Sequence, residues 1–303
     1  MKLDGIHHIT AITADAQANV DFYSGLLGLR FVKRTVNFDA PEFYHLYYAD
    51  EVGSPGTVLT FFEYPGAARG IAGPGMIHRI VWRVADETSL DFWTKRLEAA
   101  GFDSERSEER LTLADSEGLG LEFVVDDGRD APKVARSADV PEEHALLGFE
   151  GVRAYSPIPG ASDALLSDTL GFASDEPGAY IVEGTSRHST YAYDLPPSSR
   201  GIQGAGTVHH IAWASAPEDH ATWRERVAGA GADVTPIIDR TYFRSIYFRE
   251  PSGVLFEIAT IGPGFTVDEP LEALGEALRL PPQHEYLRPR LERELTPITL
   301  PAR

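Results

Sequence analysis

An α/β fold of four βαβββ modules (α+β in its layering) is predicted by two observations: a strand opening that recurs four times, and a helix followed by strand-like runs after each copy. The opening is clearest at Gly206–Ser215, GTVHHIAWAS, where two adjacent histidines sit in an otherwise apolar run. Gly75–Trp82, GMIHRIVW, matches it with His78 at His209, Arg79 at His210, Ile80 at Ile211 and Trp82 at Trp213. Gly5–Thr10, GIHHIT, puts His7 and His8 in the same two places, and a weaker copy, Gly148–Arg153, puts Glu150 and Gly151 there. A curved sheet of this size cannot bury both faces alone, so the modules must pair. Joining one with four and two with three gives two concave halves, each with a cavity.

In chain order, module one opens with a strand over Gly5–Thr13. Asp15 can cap a helix whose apolar residues Val20, Phe22, Tyr23, Leu26 and Leu27 fall at helical spacing, and Gly28 ends it. Strand-like runs follow at Arg30–Phe38, Glu42–Tyr48 and Thr57–Tyr64. Module two runs from Met76–Val84 through a helix at Ser89–Ala100, closed by Gly101, to Arg110–Ala114 and Leu119–Val125. Asp126–Glu143 is charged and lacks apolar periodicity, which reads as a linker. Module three begins near Leu147, with a helix at Ala161–Leu170 and strands at Ala179–Glu183 and Thr190–Asp194. Module four takes His209–Ala214, a helix at Glu218–Ala228, and strands at Thr235–Asp239, Ser245–Phe248 and Val254–Ala259. Beyond it a helix is predicted at Leu271–Leu278, then a Pro-rich, charged end at Pro281–Arg303. The expected boundaries are 1–128 for modules one and two, 129–145 for the linker, 146–262 for modules three and four, and 263–303 for a tail.

Composition narrows the chemistry. At 303 residues and 43% hydrophobic, the chain can build a core without staples. A net charge of −19 argues against a nucleic-acid surface, which needs clustered Lys and Arg. With no cysteine, any metal must be held by His and carboxylate. No signal peptide or membrane-length apolar run is present, so the expectation is a cytoplasmic protein off the membrane. Whether it forms a homo-oligomer the sequence leaves open.

His8 and His210 hold equivalent places in modules one and four. Glu257 lies on the closing strand of module four, in PSGVLFEI, where module two has Glu122 in SEGLGLEF and module one has Thr60. If modules one and four face each other, His8, His210 and Glu257 converge. A histidine in an apolar strand is more often a hydrogen-bonded core residue, and only the repeat equivalence tips these two toward metal. Two imidazoles and a carboxylate, with positions left open, suit Fe(II) and O2 activation, with Mn(II) in its place as the variant. The other cavity would offer Arg79, Gly151 and Glu122, so no metal is expected there, and Glu122 and His78 read as structural. In regular strands His7 and His209 point to the opposite face from their neighbours.

Four features in order, the HHIT opening at His7–Thr10, the run GTVHHIA, the stretch DRTYFRSIYF at Asp239–Phe248 and the closing PSGVLFEI, resemble the vicinal oxygen chelate superfamily. That superfamily includes glyoxalases, extradiol ring-cleaving dioxygenases and bleomycin-resistance binding proteins. The sequence is most similar to its hydroquinone-type ring-cleaving dioxygenases, over residues 1 to about 262. The resemblance implies that His7 and His209 lie near substrate as acid–base or supporting groups, and that Arg240 and Tyr247 bind substrate and act in catalysis. Thr10, two residues after His8 on the same face, is a further substrate-binding candidate.

The expected activity is Fe(II)-dependent extradiol-type cleavage of a small hydroquinone-like or catechol-like ring with O2. A bare hydroquinone cannot chelate a metal through both para hydroxyls, so its far hydroxyl needs protein partners. Two alternatives stand: a glyoxalase-like lyase or isomerase, and a metal-free binding protein of the bleomycin-resistance type.

Overall fold

The structure, a computed structural model, describes residues 1–302. Module one comprises β1 (Ile6–Thr13), α1 (Ala16–Val20), β2 (Arg30–Asn37), β3 (Ala40–Ala49) and β4 (Val58–Glu63). Module two comprises β5 (Ile77–Val84), α2 (Glu87–Ala99), β6 (Ser104–Arg106), β7 (Arg110–Ala114) and β8 (Gly120–Val125). Module three has β9 (Phe149–Tyr155), β10 (Ala173–Glu176), β11 (Ala179–Glu183) and β12 (His188–Asp194). Module four has β13 (Val208–Ser215), α3 (His220–Gly229), β14 (Ile238–Asp239), β15 (Arg244–Arg249) and β16 (Leu255–Thr260).

Two eight-stranded sheets result, in the orders β14-β15-β16-β13-β1-β4-β3-β2 and β10-β11-β12-β9-β5-β8-β7-β6. Modules one and four therefore share one sheet, and two and three the other, as the repeat alignment predicts. Each sheet closes at its centre on an antiparallel seam, β1 with β13 and β5 with β9, flanked by parallel pairs within each module. The seam places equivalent residues of two modules side by side, and this is what brings His8 near His210.

The modules differ in their helices. α2 and α3 are α-helices and bury Trp93 and Trp223. In modules one and three the predicted helices wind instead into wider π-turns, at Asp21–Leu26 after α1 and at Ala164–Thr169. These turns bury adjacent side chains, Phe22 with Tyr23 and Leu165 with Leu166, on the face turned to the sheet. One continuous apolar cluster runs through both sheets, with Trp82 and Trp213 buried at equivalent places in modules two and four. It is bridged where Phe22 meets Phe102 and where Phe172 meets Trp213.

The tail departs from expectation. The predicted helix at Leu271–Leu278 is only a 3-10 turn at Leu271–Ala273, because Gly275 takes a left-handed φ of 81° and turns the chain along the sheet edge. A Cβ at Gly275 would also lie 2.3 Å from the Phe31 carbonyl oxygen. Among the described residues the one α-helix of the tail, α4 (Arg288–Glu294), falls in the Pro-rich charged end. Between them the tail covers β2: Arg30 donates to the Leu271 and Glu272 carbonyls, Arg34 donates to the Glu276 carbonyl, and Arg34 bridges Leu278. Buried Lys33 is held by Asp268, at 2.6 Å, and by Glu269. An edge strand so covered offers no template to another chain.

Candidate metal centre

The seam between β1 and β13 is not regular. Ile6 pairs with Trp213 but His8 with Ala212, so His7 is an extra residue in β1; Thr10 pairs with His210 but Ala11 with Val208, so His209 is an extra residue in β13. Each is a β-bulge, which re-aims side chains. The expectation that His7 and His209 point away from their neighbours is corrected here, because it assumed regular pleating. The bulges turn His7 Nδ1 to within 2.9 Å of His8 Nδ1, and His209 Nδ1 to within 2.8 Å of His210 Nδ1.

His8 and His210 thereby present Nε2 to each other, 3.4 Å apart, and to Glu257 Oε2 at 3.3 and 3.0 Å. All three are buried, and their ligand atoms lie within 4.8 Å of one another. Among the described residues this is the one group of three or more His and carboxylate side chains so arranged. Glu257 Oε1 accepts a hydrogen bond from the Ser245 hydroxyl at 2.5 Å, while Oε2 is buried without a hydrogen-bond partner. An orphaned carboxylate oxygen facing two imidazole nitrogens is costly to bury unless a cation sits between them.

Electrostatics agree. Burial alone would push the Glu257 carboxyl up, but the imidazoles of His8 and His210 outweigh it and hold it well below its usual range. Burial, reinforced by the neighbouring imidazole, lowers His7 and His209 each to about 3. Neutral His7 and His209 can accept at Nδ1 from His8 and His210, which frees the Nε2 lone pairs of the latter for metal and fixes their tautomers. The proton of His209 then sits on Nε2, available to the cavity that His209 lines. His7 packs instead against Phe243, away from that lining.

The cavity in front of the three ligands has a volume of about 390 Å³. His8, His210, His209 and Thr10 form its base, and Phe62, Phe243 and Leu255 are among its apolar walls. Arg240 and Tyr247 both reach it, with Arg240 Nε 3.2 Å from the Tyr247 hydroxyl and Nη2 3.1 Å from Asp39. Thr241, next to Arg240, has a left-handed φ of 68°, strain that the loop tolerates with its amide bonded to Asp239 at 2.7 Å. Burial works against the Arg240 charge, but Tyr247 and Asp39 outweigh it and raise its pKa. Burial and then Glu257 raise Tyr247, so Tyr247 keeps its proton.

Sequence reasoning missed Ser245, His45 and Tyr47. Ser245 lay in the stretch that carried the resemblance, but its contact with Glu257 follows only from strand register. His45 and Tyr47 on β3 also line the cavity and carried no repeated motif.

A larger concavity, about 830 Å³, lies on the other sheet. There Glu122 occupies the place of Glu257, but its two oxygens are taken by Arg79 and Arg110, each at 3.0 Å. A guanidinium stands where a metal would, which accords with the structural reading of Glu122. His78 is likewise paired, with Asp194 at 2.8 Å, and stacked on Tyr155.

Residues 5–127 and 117–258 match the Glyoxalase/Bleomycin resistance protein/Dioxygenase superfamily. MhqO of Bacillus subtilis, 41% identical over 98% of this chain and 97% of its own length, is assigned by name, rather than by a stated substrate, as a ring-cleaving dioxygenase. A second relative, 32% identical over 97% of this chain and 96% of its own length, is the chlorohydroquinone/hydroquinone 1,2-dioxygenase of Sphingobium indicum. The crystal structure of a B. subtilis protein assigned as a dioxygenase superposes with a TM-score of 0.92 at 40% identity, covering 100% of this chain and 99% of that one. Glyoxalase I of Zea mays, 13% identical with a TM-score of 0.60 over 84% of this chain and 92% of that one, shares the fold. With both halves matched and relatives similar over nearly their whole length, the chain belongs to the Glyoxalase/Bleomycin resistance protein/Dioxygenase superfamily.

Proposed function

We propose that the protein is an Fe(II)-dependent, extradiol-type ring-cleaving dioxygenase acting on hydroquinone-like or catechol-like aromatics, with His8, His210 and Glu257 as the metal ligands. The observation that carries this reading is the buried pair of imidazoles around an orphaned carboxylate oxygen, at the base of a cavity with apolar and aromatic walls. Two neutral nitrogens and one carboxylate fit Fe(II), or Mn(II) in its place, better than metals that prefer all-oxygen shells. The relatives named above support ring cleavage, and the Sphingobium enzyme supports a hydroquinone.

When bound, the ferrous ion acidifies one substrate hydroxyl and supplies a redox path to O2. The protein's own residues do the rest. A cavity of about 390 Å³ falls at the lower end of small-molecule sites, roughly 300–1,000 Å³, which favours a single ring. Phe62, Phe243 and Leu255 exclude water and hold that ring by its faces. Arg240, kept charged, stabilises negative charge that develops on substrate oxygen, and Tyr247, kept protonated, donates a hydrogen bond. His209, held neutral by burial, offers its Nε2–H as a positioning donor rather than as a general acid, and His7 supports His8 from behind. Thr10 contacts the substrate from the β1 side. In the overall reaction one ring C–C bond breaks and both atoms of O2 enter the open-chain product, so no external reductant is required.

The test is an oxygen electrode with Fe(II)-loaded protein and a panel of hydroquinones, catechols and 2-oxoaldehyde–thiol adducts. Stoichiometric O2 uptake with a hydroquinone is expected. Uptake with catechols alone would correct the substrate. Turnover of a thiol adduct without O2 uptake would replace the dioxygenase by a lyase.

A further inference from the structure

The module-one wall of the cavity carries a polar chain of which the reading above uses only the last member, Thr10. His45 Nε2 lies 2.9 Å from Thr60 Oγ1, and His45 Nδ1 lies 2.9 Å from the Tyr47 hydroxyl. Thr60 in turn donates to Thr10 Oγ1 at 2.8 Å. Tyr47, His45, Thr60 and Thr10 form one line across β3, β4 and β1. It ends beside the metal centre, where Thr10 pairs with His210.

Strand register gives the chain a counterpart in module four. Tyr47 pairs with Thr60 as Tyr247 pairs with Glu257, and His45 pairs with Phe62 as Ser245 pairs with Ala259. Module one thus repeats the frame of the metal half, with Thr60 for Glu257, Tyr47 for Tyr247 and His45 for Ser245. Where module four has a carboxylate module one has a hydroxyl, and where a hydroxyl braces that carboxylate an imidazole stands beside Thr60.

The chain has a direction. The Thr60 hydrogen goes to Thr10, so Thr60 Oγ1 can only accept from His45, which places the His45 proton on Nε2. His45 Nδ1 is then an acceptor and takes the Tyr47 hydrogen. Burial holds His45 neutral, well below the usual histidine range, as a one-donor, one-acceptor link requires. Every hydrogen runs toward Thr10, whose own hydroxyl hydrogen has no acceptor among the described residues and is left to the cavity that Thr10 lines. The opposite direction would spend that hydrogen on Thr60 and turn a lone pair to the substrate.

We propose that His45, backed by Tyr47 and acting through Thr60, is a positioning residue that fixes Thr10 as a hydrogen-bond donor to a substrate oxygen at the metal centre. A donor held there strengthens as that oxygen gains negative charge, whereas a lone pair would repel it. The identity of that oxygen rests on the ring-cleavage reading; the direction of the chain does not.

Two measurements test it. In protein labelled with ¹⁵N at histidine and loaded with Zn(II), His45 should give the neutral Nε2–H signature at neutral pH. Thr60→Val should shift its Nε2 resonance and Tyr47→Phe its Nδ1 resonance; an Nδ1–H tautomer overturns the proposal. In Fe(II)-loaded protein, Thr60→Val should keep wild-type metal content and KM while kcat falls about tenfold. Thr60→Ser should restore kcat. Thr10→Val should lose about as much, and the double variant Thr10→Val/Thr60→Val no more than either alone. Additive losses would mean that Thr60 does not act through Thr10, and would sink the chain while leaving ring cleavage intact. An Nε2–H tautomer in a protein that consumes no O2 with any hydroquinone would sink the reaction and leave the chain standing.

Discussion

Glu257 and Tyr247 face each other across β15 and β16 and yet should fail in different ways when altered. Glu257→Gln keeps the shape but puts an amide between two imidazoles, removing the charge that a divalent ion needs. The expected outcome is a protein that folds, retains little or no metal by elemental analysis, and shows no O2 uptake. Tyr247→Phe removes only the hydroxyl that Arg240 holds. It should leave the metal bound and slow turnover by about a hundred- to a thousandfold, the range for a lost charge-stabilising donor or proton-transfer group. Metal loss in Tyr247→Phe would show the division between ligand and pocket residues to be wrong.

At the scale of elements, the bulged seam is what gives each proposed ligand histidine a supporting imidazole. His209→Ala leaves His210 in place but removes the partner of its Nδ1. Metal affinity should fall by about 10- to 100-fold, the usual effect of deleting a group that orients a ligand, measurable by competition with a chelator. The convergence of His8 and His210 was legible in the sequence because the strand openings repeat, and repeat equivalence survives any local distortion. The bulge was not, because a pleat of period two gives no sign in the sequence of where an extra residue is inserted. Ser245 and His45 were hidden for a related reason: their partners lie on neighbouring strands, and cross-strand register is a property of pairing. The wide turns at Asp21–Leu26 and Ala164–Thr169 could not be told from α-helix by spacing alone, since a left-handed glycine ends both sorts alike, Gly28 and Gly171 after the wide turns and Gly101 after α2.

For the molecule as a whole, the metal would join the two ends of the chain. A ligand that binds only the folded state stabilises it by RT ln(1 + [L]/Kd), about 2.7 kcal/mol at a free concentration a hundredfold above Kd. Adding Fe(II) or Mn(II) under anaerobic conditions should therefore raise the melting temperature of metal-free protein, and His8→Ala should abolish the rise. The tail makes a second, independent tie. Lys33→Met would leave Glu269 buried with only Arg279 nearby, at 3.4 Å. A loss of about 3 kcal/mol is expected from urea midpoints. Metal content of the folded fraction should not change, because Lys33 touches none of the ligands.

The seam also sets an order of events during synthesis. His8 and His210 are 202 residues apart. At about 5–20 residues per second, β1 waits roughly 10–40 s after leaving the ribosome before β13 exists to pair with it. For that interval β1 has a bare edge on the side that will become the seam, the kind of edge that recruits the wrong strand and that chaperones shield. Glu257 emerges later still, so no metal can be captured while the first three modules are being made. Loading of the proposed metal is thus confined to chains in which module four has been made, and without the metal such a chain would be fully paired yet lack its proposed reactive centre.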